Sequence, residues 1–217
     1  MKLGKLKRLL GLIAISSIAC SAYAVRPGLY MGVQVGPGTN NASPVFAKTL
    51  SGTPPTTEVN PQSNQFGSHM YMGYKGSDYV AAEFGFTYFS TIAYDNKGVQ
   101  TCASTNARVR DIDVMGRLSY PYNGFEPFVK AGAAVVFTMT SGGLNSGPDT
   151  CGRTQYTNNV KPTYAIGLGY DLSQNWVIDA SANHLTVPGT ISSMTYYALG
   201  ISFHFVDKYC GQFLCDD

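Results

Sequence analysis

The chain is 217 residues long, the size of one domain with one sizeable core. Charged residues make up 13 % of it, about half the ~25 % of ordinary soluble domains, while Gly (24) and Tyr (15) are abundant. The formal net charge of +2, with no basic cluster beyond the N-terminus, argues against a nucleic-acid partner.

Lys2, Lys5, Lys7 and Arg8 precede an apolar run from Leu9 to Ala19, and Ala22-Tyr23-Ala24 supplies an A-x-A cleavage pattern. Residues 1–24 therefore read as a secretory signal, with Val25 opening the mature chain. The run is shorter than the roughly 20 residues a spanning helix needs, and no other apolar run approaches that length. Any membrane residence must then come from a closed barrel.

The first predicted strand, Gly28–Gly36, sets Leu29, Met31, Val33 and Val35 against Tyr30, Gly32, Gln34 and Gly36, since alternate residues take opposite faces. Residues 37–65 read as a long loop. A second strand, about Gly67–Lys75, carries Met70, Met72 and Tyr74 on its apolar face, and Gly76-Ser77-Asp78 turns the chain. The third, Tyr79–Ser90, sets Val80, Ala82, Phe84, Phe86 and Tyr88 against Ala81, Glu83, Gly85 and Thr87. After a loop at 91–107, the fourth strand, Arg108–Tyr120, sets Ile112, Val114, Gly116, Leu118 and Tyr120 against Asp111, Asp113, Met115, Arg117 and Ser119.

Pro121-Tyr122-Asn123-Gly124 is a turn. The fifth strand, Phe125–Met139, sends Val129, Ala131, Ala133, Val135 and Phe137 one way and Phe128, Lys130, Gly132 and Ala134 the other. Residues 140–161 read as a third loop. The sixth strand, Pro162–Leu172, and the seventh, Trp176–Leu185, flank a turn at Ser173-Gln174-Asn175. A short loop, about 186–193, leads to the last strand, Met194–Phe205, where Tyr197, Leu199, Ile201, Phe203 and Phe205 alternate with Tyr196, Ala198, Gly200, Ser202 and His204.

Eight strands with alternating short and long connections predict an all-β, single up-and-down antiparallel barrel with tight turns at one rim and extended loops at the other. A lipocalin-like soluble barrel would turn the apolar face inward. The opposite face, however, holds Gly32, Gly36, Gly85, Gly132, Gly167, Gly169 and Gly200, a poor surface for water but a suitable filling for a narrow lumen. Aromatics near the strand ends of the apolar face, among them Tyr74, Tyr120, Tyr164 and Trp176, suit membrane interfaces. The expected location is the outer membrane of a Gram-negative bacterium.

With the opening GLYMGVQVG and the closing YALGISFHF, this meander resembles the OmpA-type family of small outer-membrane β-barrels over about residues 25–206. The resemblance implies a transmembrane barrel at 25–206 and a last strand read by the barrel-assembly machinery. The tail, 207–217, departs from it and is too short for a peptidoglycan-binding domain.

Five charges and a histidine fall on the small-residue face: Glu83, Asp113, Arg117, Lys130, Asp179 and His204, with Gln34 beside them. Opposite signs in a low-dielectric tube should pair, because an unpaired buried charge costs several kcal/mol, roughly. The expected result is a structural plug; an ion path is the alternative. His184-Leu185-Thr186 is similar to the His-x-Ser pair of small lipid A deacylase barrels, but Thr replaces Ser and no acidic orienting partner is evident. No enzymatic activity, cofactor or metal site is expected.

Four cysteines follow the signal: Cys102, Cys151, Cys210 and Cys215. An even number in an exported chain suggests disulfides. Cys102 and Cys151 fall in neighbouring loops at one rim and would staple them, contributing at most ~4 kcal/mol; Cys210 and Cys215 would close a small loop in the tail. The overall expectation is a monomer embedded in outer-membrane lipid and lipopolysaccharide. Its role would be membrane integrity and surface contact, with host or surface ligands met through the loops. A narrow porin-like channel and a lipid A-modifying enzyme are the alternatives.

Overall fold

A computed structural model describes residues 27–46, 58–94, 106–141, 154–189 and 191–205. The signal segment, the tail and all five cysteines lie outside the described residues, and with them both expected disulfides.

Eight long strands run β1 (Gly28–Ala42), β2 (Gln65–Lys75), β3 (Val80–Phe89), β4 (Asn106–Ser119), β5 (Phe125–Ser141), β6 (Thr154–Asp171), β7 (Trp176–Thr186) and β8 (Ile191–His204). Each pairs antiparallel with its sequence neighbours. β1 pairs with β8, from Tyr30↔His204 to Ala42↔Ile191, and closes the barrel.

Short connections and both barrel ends share one rim. In the β4–β5 turn Asn123 and Gly124 both have positive φ (49° and 79°), and Tyr122 and Phe125 exchange backbone hydrogen bonds of 2.7 and 2.9 Å. That is the primed geometry matching strand twist, which Asn-Gly adopts at little cost. In the β6–β7 turn the Ser173 hydroxyl accepts from the Asn175 and Trp176 amides at 3.3 and 3.2 Å.

The opposite rim departs from expectation. Residues 37–42 and 154–161 continue β1 and β6 rather than forming loop, and Val45–Phe46 pairs with Glu58–Val59 inside the expected first loop. The cause is cooperative pairing. β5 and β6 stay in register from Phe125↔Tyr170 to Ser141↔Thr154, so polar residues such as Asn158 and Asn159 extend the ladder despite weak strand propensity. β7 pairs with β6 only up to Leu185↔Thr163, so above that point the described part of β6 is bonded to β5 alone.

Alternation along the strands sorts the side chains. Val33, Met70, Phe84, Val114, Val129, Ile166, Ile178 and Leu199 are exposed on the outside wall. Aromatics ring the turn rim: Phe125–Tyr170 and Trp176–Phe203 each have centroids 4.9 Å apart, and Tyr79–Tyr120 lie 6.4 Å apart. Toward the loop rim stand Phe66, Tyr88, Phe137, Tyr164 and Tyr197. From Tyr120 to Arg110 the chain covers roughly 33 Å along β4, or about 25 Å along the axis at ~40° tilt, the height of an outer-membrane apolar band.

Candidate functional site: the filled lumen

The inward face is small where it must be, because neighbouring strands carry rings. Tyr30 is paired across from Gly73, Tyr71 from Gly32 and Phe128 from Gly167. A Cβ on any of these glycines would come within 2.5 Å of the facing ring. Glycine supplies a seat for the ring, the aromatic–glycine pairing that pins strand register.

In the turn-rim half these rings wall in a polar cluster. Lys130 Nζ lies 2.6 Å from Glu83 Oε2, with both side chains fully buried. Arg117 approaches Glu83 at 3.6 Å and Glu126 at 2.9 Å, and Lys75 meets Glu126 at 2.8 Å. The Tyr30 hydroxyl donates to Glu83 at 2.7 Å. Phe128 lies under the Arg117 guanidinium at 4.1 Å, and the Lys130 ammonium sits 4.7 Å from the Tyr71 ring. Each ion thus gains a partner for the hydration it gives up.

The other expected residues take different partners. Asp179 accepts from the Gln34 amide at 2.5 Å and lies 3.4 Å from the Tyr71 hydroxyl; among the described residues no ion pair to a cation reaches it. Asp113 stands 3.2 Å from His69 Nε2, one layer higher, and its neighbour Asp111 accepts from Thr87 at 3.0 Å. His204 stacks on Tyr30, 4.7 Å between centroids and 7° between planes.

Lys75, Glu126, His69, Asp111, Tyr30 and Tyr71 complete the cluster; the alternation puts Asp111 and Tyr30 on the inward face, but none of the six is among the expected lumen charges. The signal that finds them is parity: Lys75 shares the face of Gly73 and Tyr71, and Glu126 that of Phe128 and Lys130.

The loop-rim half of the lumen holds an apolar cluster, with Gln65, Asp111 and Thr138 buried beside it. Phe89, Ile92, Tyr94, Val109, Val136, Val187, Ile191 and Met194 are buried there, with Phe89 edge-on to Tyr196 at 5.4 Å. Ile92, Tyr94, Val187 and Ile191 come from segments expected to be loop, which fold over the barrel mouth instead of standing in water. No helix among the described residues is long and apolar enough to cross a membrane.

On the outer wall the hydroxyl that His184 meets is that of Thr195 on β8. The histidine Nδ1 lies 2.9 Å from that hydroxyl, its ring stacks on Tyr164 at 4.7 Å, and Thr186 is paired opposite Ser193.

A closed antiparallel eight-stranded barrel with an apolar, aromatic-ringed outside and a packed polar inside belongs to the transmembrane β-barrels of outer membranes. Residues 10–205 match the family model described as the outer membrane protein beta-barrel domain, and the chain belongs to that family. It is 24% identical over 173 residues to an uncharacterized protein of Coxiella burnetii (strain RSA 493 / Nine Mile phase I), covering 66% of this chain and 70% of that one. Neisserial surface protein A has a similar fold (TM-score 0.58, 12% identity, 82% of this chain and 97% of that one). So does the outer membrane protein OprG from Pseudomonas aeruginosa (TM-score 0.54, 10% identity, 83% and 97%). The protein resides in the outer membrane of a Gram-negative bacterium.

Proposed function

We propose that this protein is a filled, non-conducting barrel with a structural and surface-interaction role. It holds its place in the outer membrane as a monomer and presents its long connections for contact with host or environment. The observation that carries this reading is the two-storey filling of the lumen: an ion-paired cluster around Glu83, Arg117 and Lys130 beneath an apolar cluster around Phe89, Val136 and Met194. Eight-stranded barrels leave room inside only for side chains, and an apolar layer opposes the passage of hydrated ions. Recognition then falls to loops carried on a rigid scaffold.

Planar-bilayer recording tests the proposal. The wild-type protein is expected to show no stable discrete openings, and Lys130→Ala none either, because the apolar layer above stays intact. Stable unitary steps from the wild type would sink the filled-barrel reading in favour of a narrow channel.

A further inference from the structure

Along the described strands the outside wall carries almost no charge, and the two exceptions stand together. Among the described outward-facing residues of the eight strands, Arg108 and Arg110 alone are permanently charged. They occupy successive outward positions on β4, roughly 7 Å apart. The register fixes their neighbours. Arg108 is paired beside Met139, which is paired beside Tyr156; Arg110 stands between Tyr88 and Phe137, with Asn158 beyond. One row toward the membrane centre lie Phe86, Ile112, Val135 and Val160. A cleft of about 440 Å³ opens between the two arginines and the Tyr156–Asn158 stretch.

Arginine is costly on a lipid-facing wall at the bilayer centre and cheap near the interface. Arg108 and Arg110 stand at the upper edge of the apolar band, and the Arg110 guanidinium lies 5.2 Å from the Tyr88 ring. Among the described residues neither forms an ion pair with a carboxylate. In this family the loop rim faces outward, so both guanidiniums lie at the headgroup level of the outer leaflet. A guanidinium fork matches phosphate oxygens, and Tyr156 and Asn158 add a hydroxyl and an amide at the same height. Free phosphate would use only this upper row. An amphiphile would also use the apolar row beneath it.

We infer that Arg108 and Arg110 form a binding site for a phosphorylated glycolipid of the outer leaflet, the lipid A part of lipopolysaccharide. Its phosphate is held by the two guanidiniums, and its acyl chains run along Phe86, Ile112, Val135 and Val160. The inference rests on the outer-membrane orientation of the barrel and names the lipid partner and its seat.

Native mass spectrometry of the full-length protein folded in micelles tests the site, titrating diphosphoryl lipid A against the same lipid stripped of phosphate. The wild type is expected to retain the phosphorylated form at least about tenfold more tightly. Arg108→Gln/Arg110→Gln should weaken retention roughly 25-fold, about fivefold per arginine, and Arg108→Lys/Arg110→Lys, which keeps the charges but loses the forks, should fall between that variant and the wild type. Equal retention of both lipids by the wild type overturns the site without needing any variant. So does unchanged retention by the double glutamine variant. Full displacement by inorganic phosphate overturns the lipid in favour of a free anion. A heat-modifiability gel separates the two levels: a wild type with no mobility shift removes the barrel reading, whereas a normal shift without lipid selectivity removes only the site.

Discussion

The two halves of the lumen solve one steric problem with opposite chemistry. On β5 the inward row passes from Glu126, Phe128 and Lys130 through Gly132 to Ala134 and Val136, and on β3 from Glu83 through Gly85 and Thr87 to Phe89. The turn-rim half depends on directional, mutually required partners. The loop-rim half depends on contact area and exclusion of water. Ions cut off from water leave a large penalty when one partner is lost, whereas apolar packing degrades in proportion to the volume removed. The halves should therefore respond differently to the same kind of truncation.

The largest effect is expected for Lys130→Ala, which leaves Glu83 buried with Arg117 at 3.6 Å as its remaining cation. Urea unfolding in lipid vesicles, followed by the fluorescence of Trp176, should show a loss of about 3–5 kcal/mol. A loss under ~1 kcal/mol would mean that water reaches the cluster. Phe89→Ala, in the apolar half, should cost roughly 3 kcal/mol through the cavity beside Tyr196, with little dependence on salt. A strong salt dependence there would erase the contrast between the halves.

Gly167→Ala comes next, at about 1–3 kcal/mol, because the new methyl would sit 2.4 Å from the Phe128 ring and 2.7 Å from the Ala180 carbonyl oxygen, which is backbone and cannot step aside. A neutral result would show that the ring seat is slack. The smallest effect sharpens the comparison most: Glu83→Gln/Lys130→Met should fall within about 1 kcal/mol of wild type, since removing both ions removes the penalty of either alone. Arg117 keeps Glu126 at 2.9 Å in that variant. If the double variant were as damaged as Lys130→Ala, the pair would be stabilising in its own right.

Strand number, alternation and the inward direction of the glycines were legible in the sequence, because the two-residue period records burial directly. Glu83, Arg117 and Lys130 could be placed on the lumen face for the same reason. Their partners were harder to see. Lys75 and Glu126 sit at strand ends, where solvation is the default expectation, and a tight turn brings Glu126 back within reach of Arg117. Of the apolar storey only Ala134, Tyr196 and Ala198 stood on the inward face read from the alternation. Ile92, Val187 and Ile191 lie in short, polar-flanked segments with no period, and only barrel closure brings them over one mouth. The extra length of β6 was hidden as well, because Asn158 and Asn159 are held in strand by β5 and not by their own preference.

The rings seated on glycines bear on how the first long hairpin, β1 with β2, finds its alignment. Tyr30 fits against Gly73 and Tyr71 against Gly32, on the strand that also meets β8. A slide of one residue would aim the phenols at hydrocarbon, and a slide of two would bring Tyr30 opposite Tyr71 or Lys75 in place of Gly73. A hairpin threading into lipid, where a mispaired amide finds no water to correct it, therefore carries its own key: of these alignments, one alone seats both rings.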